Sequence, residues 1–139
     1  MIRINIVCVG KIKEKYIKDG IEEFLKRLSK YVKLDIIELT EEDDNKGIKN
    51  AVDVETQRII DAISKKNYSY SILLDLSGKM MTSVEMAEKI EKISLTSSEI
   101  NFIIGGSNGV ADKLREIVNF RLAFSNFTFP HQLMRLILV

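Results

Sequence analysis

The chain has 139 residues, of which 45% are hydrophobic, and its formal net charge is +1. This length is enough for one compact core and too short for two comfortable domains, so residues 1–139 are expected to form a single domain. No stretch approaches the roughly 20 apolar residues of a membrane span, and the N-terminus lacks the features of a signal peptide. A soluble cytoplasmic protein is therefore expected.

The charge is unevenly distributed along the chain. Residues 1–33 hold nine Lys/Arg against four Asp/Glu, while residues 34–139 hold twelve against sixteen. A basic N-terminal third is typical of a surface that contacts an RNA backbone, although an ordinary solvated helix face has the same composition. The single cysteine, Cys8, has no partner within the chain and lies in an apolar run, which indicates a reduced core thiol.

Alternating strands and helices are predicted in the first half of the chain. Ile2–Val9 is rich in β-branched residues and is expected to form a strand. Residues Glu14–Val32 carry apolar side chains three and four positions apart, which predicts an amphipathic helix. A strand at Leu34–Leu39, a polar loop at Thr40–Lys49 and a helix at Val52–Lys66 should follow.

The second half continues the alternation. Ser71–Leu76 is a short apolar run closed by Ser77-Gly78 and suits a strand that is covered on both faces. Thr82 and Glu85 form a capping-box pattern that should open the third helix. The remaining elements are predicted to be a strand at Ile100–Ile104, a helix at Ala111–Val118, a strand at Arg121–Phe124 and a last helix with Pro130 at its first position.

This order predicts an α/β fold with a mostly parallel sheet and helices on both faces. In open sheets of this type, ligands bind beyond the carboxyl ends of the strands. Three segments should therefore border a site: Leu74–Gly78, Gly105–Gly109 and Ser125–Pro130.

The segment Gly105–Gly109 (GGSNG) stands between a predicted strand and a predicted helix. Glycines let the backbone approach a ligand, and a helix N-terminus offers unpaired N–H groups. The glycine spacing does not match the dinucleotide fingerprint, and Val110-Ala111 replaces the Lys-Ser/Thr of a Walker loop. A nicotinamide cofactor and ATP hydrolysis are both disfavoured, and a tight turn without a ligand is the alternative.

The only proline and the only histidine of the chain adjoin each other at the start of the last helix. Pro130 fixes its own φ and pushes Phe129 into extended geometry. His131 should then lie in the first helical turn, where the helix dipole favours a neutral imidazole. The alternative to a catalytic role for this histidine is a structural one.

Four segments carry a family resemblance that covers essentially the whole chain. They are VCVGKIKEKYIKDGIEEFLKR (Val7–Arg27), LLDLSGK (Leu73–Lys79), FIIGGSNG (Phe102–Gly109) and FSNFTFPHQLMR (Phe124–Arg135). Together they resemble the ribosomal RNA large-subunit methyltransferase H family, within the SPOUT α/β-knot superfamily. The resemblance implies a homodimer with a trefoil-knotted domain. It also implies the use of S-adenosylmethionine to methylate N3 of a pseudouridine in large-subunit ribosomal RNA on the assembled ribosome.

The resemblance also implies the residues of the site. The family's cofactor contacts correspond to Leu74, Gly105, Phe124, Ser125, Asn126, Phe127, Thr128 and Phe129. His131 is a candidate base for the N3 proton, and Arg135, four residues further along the same helix face, is its candidate electrostatic partner. A phosphate contact or a surface salt bridge is the alternative for Arg135. No metal is expected.

Members of that family continue past the position of Val139. The expectation is therefore a C-terminally truncated chain with an incomplete knot and impaired methyl transfer. A rival of another class is a non-catalytic ribosome-binding or dimerisation module that keeps the fold. A Rossmann-type oxidoreductase is disfavoured by the glycine spacing.

Overall fold

A computed structural model describes all residues, Met1–Val139, as alternating strands and helices. The strands are β1 (Ile2–Val9), β2 (Val32–Leu39), β3 (Ser69–Met80), β4 (Glu99–Ile104) and β5 (Phe120–Ala123). The helices are α1 (Lys15–Leu28), α2 (Ile48–Ser64), α3 (Ser83–Ser94), α4 (Asp112–Ile117) and α5 (His131–Leu138). All strand pairs are parallel, in the order β2-β1-β4-β3-β5. The predicted parallel α/β sheet is confirmed.

The sheet is covered on both faces because its central strands alternate two sets of apolar side chains. Ile6 of β1 belongs to a buried cluster that includes Ile93 of α3 and contacts Met134 of α5. Val7, the next residue, belongs to a second cluster that includes Ile59 of α2 and Leu114 of α4. Each buried side chain of this size contributes roughly 1.5–3 kcal/mol. The two clusters fix the register of the sheet, since a one-residue slip would exchange its faces.

Strand β3 is longer than predicted. The sequence Ser77-Gly78 was expected to end it, but the strand continues to Met80 with a register shift between Leu74 and Lys79 in its pairing with β5. A Cβ at Gly78 would lie 2.6 Å from the backbone carbonyl carbon of Arg121. The glycine therefore permits the close approach of β5 at an irregularity and does not mark a turn.

Two helix boundaries in the first half also differ from the prediction. Helix α1 ends at Leu28, and Val32, which was predicted to belong to this helix, is the first residue of β2. Helix α2 begins at Ile48, inside the predicted polar loop, directly after Gly47 with a φ of +97°. The remaining boundaries agree within two residues.

The ends of two later helices follow from local chemistry. Thr82 Oγ1 accepts a hydrogen bond from Glu85 N at 3.1 Å, and Glu85 Oε1 accepts one from Thr82 N at 2.9 Å, which confirms the capping box. Pro130 occupies the N-cap and not the first helical position, with an extended ψ of 138°. His131 is the first residue of α5.

The single cysteine lies in the core, as predicted. Cys8 is free and fully buried. Burial raises the pKa of its thiol to about 11, so the thiol remains protonated at neutral pH. None of the helices has the length and apolar character that a membrane crossing needs.

Candidate active site

A cavity of about 780 Å³ opens beyond the carboxyl ends of β4 and β5, beside the middle of β3. This volume lies in the range of roughly 300–1,000 Å³ that is typical of small-molecule sites. Two segments of the chain contribute most of its lining. We call the loop Gly105–Val110 the glycine wall and the segment Phe124–Pro130 the aromatic wall.

The glycine wall is fastened to α2 and to the loop before it. Gly109 adopts a φ of +83°, which a side chain would strain. Ala111 N donates a hydrogen bond to Thr56 Oγ1 at 3.0 Å, and Asn108 Nδ2 donates one to Asp44 Oδ1 at 3.1 Å. The shape of this wall is therefore set by contacts within the protein.

Gly105 opens the glycine wall directly after β4. A Cβ at this position would lie 2.7 Å from Val110 Cγ1, which also lines the cavity. A larger residue at position 105 would thus displace the side chain of Val110. Gly105 therefore shapes the cavity through the packing of its wall, and its contact with a ligand stays a prediction.

A partly buried ion pair, Asp75 and Arg115, also lines the cavity. Arg115 Nε donates to Asp75 Oδ2 at 2.9 Å, and the same guanidinium donates to Val110 O at 3.2 Å. Burial raises the pKa of Asp75, but hydrogen bonds from Ser77 and Arg115 outweigh burial and hold it below its usual range. Sequence reasoning missed this pair because its members are forty positions apart.

The aromatic wall presents phenylalanine side chains to solvent at the cavity mouth. Phe127 is 78% exposed and Phe124 is 37% exposed, although both line the cavity. Within the segment, Phe127 N donates to Ser125 Oγ at 3.0 Å. Exposed aromatic rings at the rim of a cavity are typical of a surface that covers a flat ligand.

His131 continues the lining at the first turn of α5. Burial lowers the pKa of this imidazole below its ordinary value; Arg135 and Lys13 act in the same direction, whereas Glu41 opposes them. The neighbouring Gln132 accepts a hydrogen bond from Lys13 N at 3.2 Å. The geometry therefore keeps a neutral imidazole beside the connection between β1 and α1.

Arg135 lies behind the lining, not in it. Its side chain is 1% exposed and donates to Glu38 Oε2 at 2.7 Å and to Gly10 O at 3.0 Å, while its Nε has no partner. The pair with Glu38 is thus not a surface salt bridge. Arg135 attaches α5 to the ends of β1 and β2. Its positive charge contributes to the lowered pKa of His131.

The cavity brings together most of the residues to which the sequence assigned a cofactor. The lining includes Leu74, Gly105, Phe124, Ser125, Phe127, Thr128 and Phe129. Asn126 belongs to the same segment but is not among the lining residues. Contact of these residues with a cofactor stays a prediction, as does the catalytic role of His131 and Arg135.

The fold and the cavity define an α/β protein with a small-molecule site at the carboxyl edge of a parallel sheet. The family model described as "Predicted SPOUT methyltransferase" matches residues 2–139. The chain therefore belongs to the SPOUT methyltransferase family. Members of this family generally use S-adenosylmethionine.

Three relatives, each named ribosomal RNA large subunit methyltransferase H, are similar along nearly the whole chain. The protein of Fusobacterium nucleatum subsp. nucleatum is 53% identical over 137 residues, which cover 98% of this chain and 88% of the relative. That of Desulforamulus reducens is 47% identical, covering 100% of this chain and 89% of the relative. That of Bacillus pumilus is 45% identical, covering 98% and 88%. The resemblance identified from the sequence is confirmed.

Proposed function

We propose that this chain transfers a methyl group from S-adenosylmethionine to N3 of a pseudouridine in large-subunit ribosomal RNA. The convergence of the glycine wall, the aromatic wall and His131 on one cavity is the observation that carries this proposal. The names of the relatives support the class of substrate. Residues 1–139 acting as one domain, in a knotted homodimer on the assembled ribosome in the cytoplasm, are part of the same proposal.

The lining fits an adenosine-containing cofactor. Ten of the twenty lining residues are hydrophobic, and the glycine wall leaves backbone groups accessible. Leu74, Gly105 and the aromatic wall would hold the cofactor, with Asn126 contributing through its backbone. When bound, S-adenosylmethionine supplies an activated methyl group. The protein contributes position and electrostatics.

His131 would take the proton from N3 of the base. The burial that lowers its pKa leaves a ring nitrogen free to accept a proton at neutral pH. Arg135 is a positioning residue in this scheme, because it holds α5 against β1 and β2 and so fixes the ring that lines the cavity.

The RNA would approach from the side of the connection between β1 and α1. Lys11 and Lys13 follow β1 directly, and Lys15 begins α1, at the same edge of the sheet as the cavity. Arg3 lies at the opposite edge and pairs with Asp35 at 3.2 Å. The basic third of the chain is thus divided between two edges, and its lysines at the cavity edge would contact phosphates.

The test is incorporation of a tritiated methyl group from S-adenosylmethionine into ribosomes that lack the modification. Ribosomes that already carry N3-methylpseudouridine are the matched control, and they should accept no label. We expect label in large-subunit RNA at one pseudouridine. Ribosome binding without incorporation would support the non-catalytic module instead, and label at another nucleotide or atom would overturn the assignment of the substrate.

A further inference from the structure

Glu55 is the only charged residue on the buried face of α2. It is 5% exposed and shares that face with Ala51, Thr56, Ile59 and Ile63. Burying a carboxylate is costly unless it is paired or used. This carboxylate forms no ion pair and takes no part in the proposed proton transfer.

The carboxylate lies directly behind the glycine wall. Glu55 Oε2 accepts its one hydrogen bond, from Glu42 N at 3.0 Å. Oε1 points at Gly106, because a Cβ at Gly106 would lie 2.7 Å from that oxygen. Gly106 itself lines the cavity, so only its backbone separates Oε1 from a bound ligand.

No basic side chain forms an ion pair with this carboxylate. The nearby Arg58 donates to Glu42 Oε2 at 2.8 Å and to Thr40 O at 2.9 Å, and not to Glu55. Burial raises the pKa of Glu55, and the carboxylates of Glu41 and Asp44 add to that rise, whereas the hydrogen bond from Glu42 N and the charge of Arg58 oppose it. A cation placed in the cavity beyond Gly106 would therefore be attracted by a negative charge that Arg58 compensates only from a distance.

We propose that Glu55 makes the cavity selective for S-adenosylmethionine, whose sulfonium is positive, over S-adenosylhomocysteine, whose thioether is neutral. This inference rests on the proposed function. When the methyl group leaves, the electron pair of the broken carbon–sulfur bond stays on sulfur, so the sulfonium charge is lost. The new carbon–nitrogen bond forms at N3, whose proton passes to His131. Glu55 thus favours binding of the methyl donor and release of the demethylated product.

The test is calorimetric titration of the whole chain with S-adenosylmethionine and, separately, with S-adenosylhomocysteine. Glu55→Gln keeps the size of the side chain and removes its charge. We expect affinity for the methyl donor to fall about tenfold and affinity for the product to stay within about twofold. Asp53→Asn is the control, since Asp53 lies on the same helix, pairs with Lys49 and has a side chain that is 44% exposed. It should leave both affinities unchanged.

A second variant, Gly106→Ala, changes the contact between Glu55 and the glycine wall from the side of the glycine. The methyl group added by Gly106→Ala would point at Glu55 Oε1 and Val9 Cγ1, at 2.7 and 3.4 Å, and not into the cavity. It should push the flexible carboxylate away from the wall and lower the preference in the same direction, which matters if Glu55→Gln does not fold.

Three results would overturn the inference alone. Equal losses of both affinities in Glu55→Gln would show that the residue only supports the loop, and no loss would show that its charge is not sensed. An unchanged preference in Gly106→Ala would count equally against it. Failure of the unaltered chain to bind either ligand would overturn the proposed function, and this inference with it.

Discussion

The two walls of the cavity are held in different ways. The glycine wall is tied to α2 and its preceding loop by Thr56 and Asp44, and to the ion pair of Arg115 through Val110 O. The aromatic wall has one internal hydrogen bond, between Phe127 N and Ser125 Oγ, and depends on the elements at its two ends. The first wall is thus held by hydrogen bonds to other elements of the fold, whereas the second has only a bond within itself and exposes its rings.

This difference separates two tasks. A wall that is fixed by side chains of its own fold can position a cofactor without a large ordering cost when the cofactor binds. A wall with exposed rings at the mouth can be completed by a second ligand, as methylation of RNA requires. Changes in the glycine wall should therefore affect cofactor binding, whereas changes in α5 and the lysines after β1 should affect methyl transfer and RNA binding.

Gly105→Val should abolish binding of S-adenosylmethionine, with a loss of at least about 100-fold in affinity measured by calorimetry. The new side chain would collide with Val110, which lies 2.7 Å from the position of its Cβ, and would distort the glycine wall. The far-UV spectrum should change little. Gly47→Ala is the control for backbone strain without a collision, because Gly47 has a φ of +97°, which strains a side chain, but has nothing within 4 Å. An affinity within twofold of the parent in Gly105→Val would make the loop a mere turn.

His131→Asn should lower the rate of methyl transfer by roughly 10²–10⁴-fold and leave cofactor affinity unchanged. Burial lowers the pKa of His131 from its ordinary value of 6.5, so most of the imidazole is still neutral at pH 6.5. The rate of the parent chain should therefore decline only as the pH falls through a value below 6.5. Single-turnover rates across pH would check this. If the rate of His131→Asn still falls at the same low pH, the group that titrates is not His131.

Much of this arrangement could be predicted from sequence because its signals are local. The β-branched run of β1, the capping box at Thr82 and the alternation of elements placed three segments at one edge of a parallel sheet. The failures involve contacts between distant positions. Gly78 suggested a turn, yet it serves the approach of β5. Glu55 lies four positions from both Ala51 and Ile59, so its spacing matches the buried face, but a carboxylate is rarely expected there. The partner of Arg135 lies 97 positions away.

Arg135→Met should destabilise the fold by about 2–4 kcal/mol, because Gly10 O would lose its buried donor and Glu38 its cation. The aromatic wall would lose its fastening at α5, so methyl transfer should fall as well. Urea unfolding measures the first effect. Arg27→Met is the matched control: Arg27 forms an exposed pair with Glu23 and should change stability by less than about 1 kcal/mol. Equal losses in the two variants would remove the anchoring role of Arg135.

The lysines that follow β1 at the cavity edge of the sheet should have a smaller effect. Changing Lys11, Lys13 and Lys15 together to Ala should weaken ribosomal RNA binding about tenfold at low salt. It should also flatten the dependence of affinity on salt by roughly one unit of slope per lost phosphate contact. The matched control changes Lys26, Lys30 and Lys33 together to Ala. These substitutions remove the same charge at the opposite edge of the sheet, where α1 ends and β2 begins. Filter binding over a salt series compares the two triple variants. Because net charge falls equally in both, a purely global attraction would flatten both slopes alike, whereas a phosphate path beside His131 requires that only the first one change.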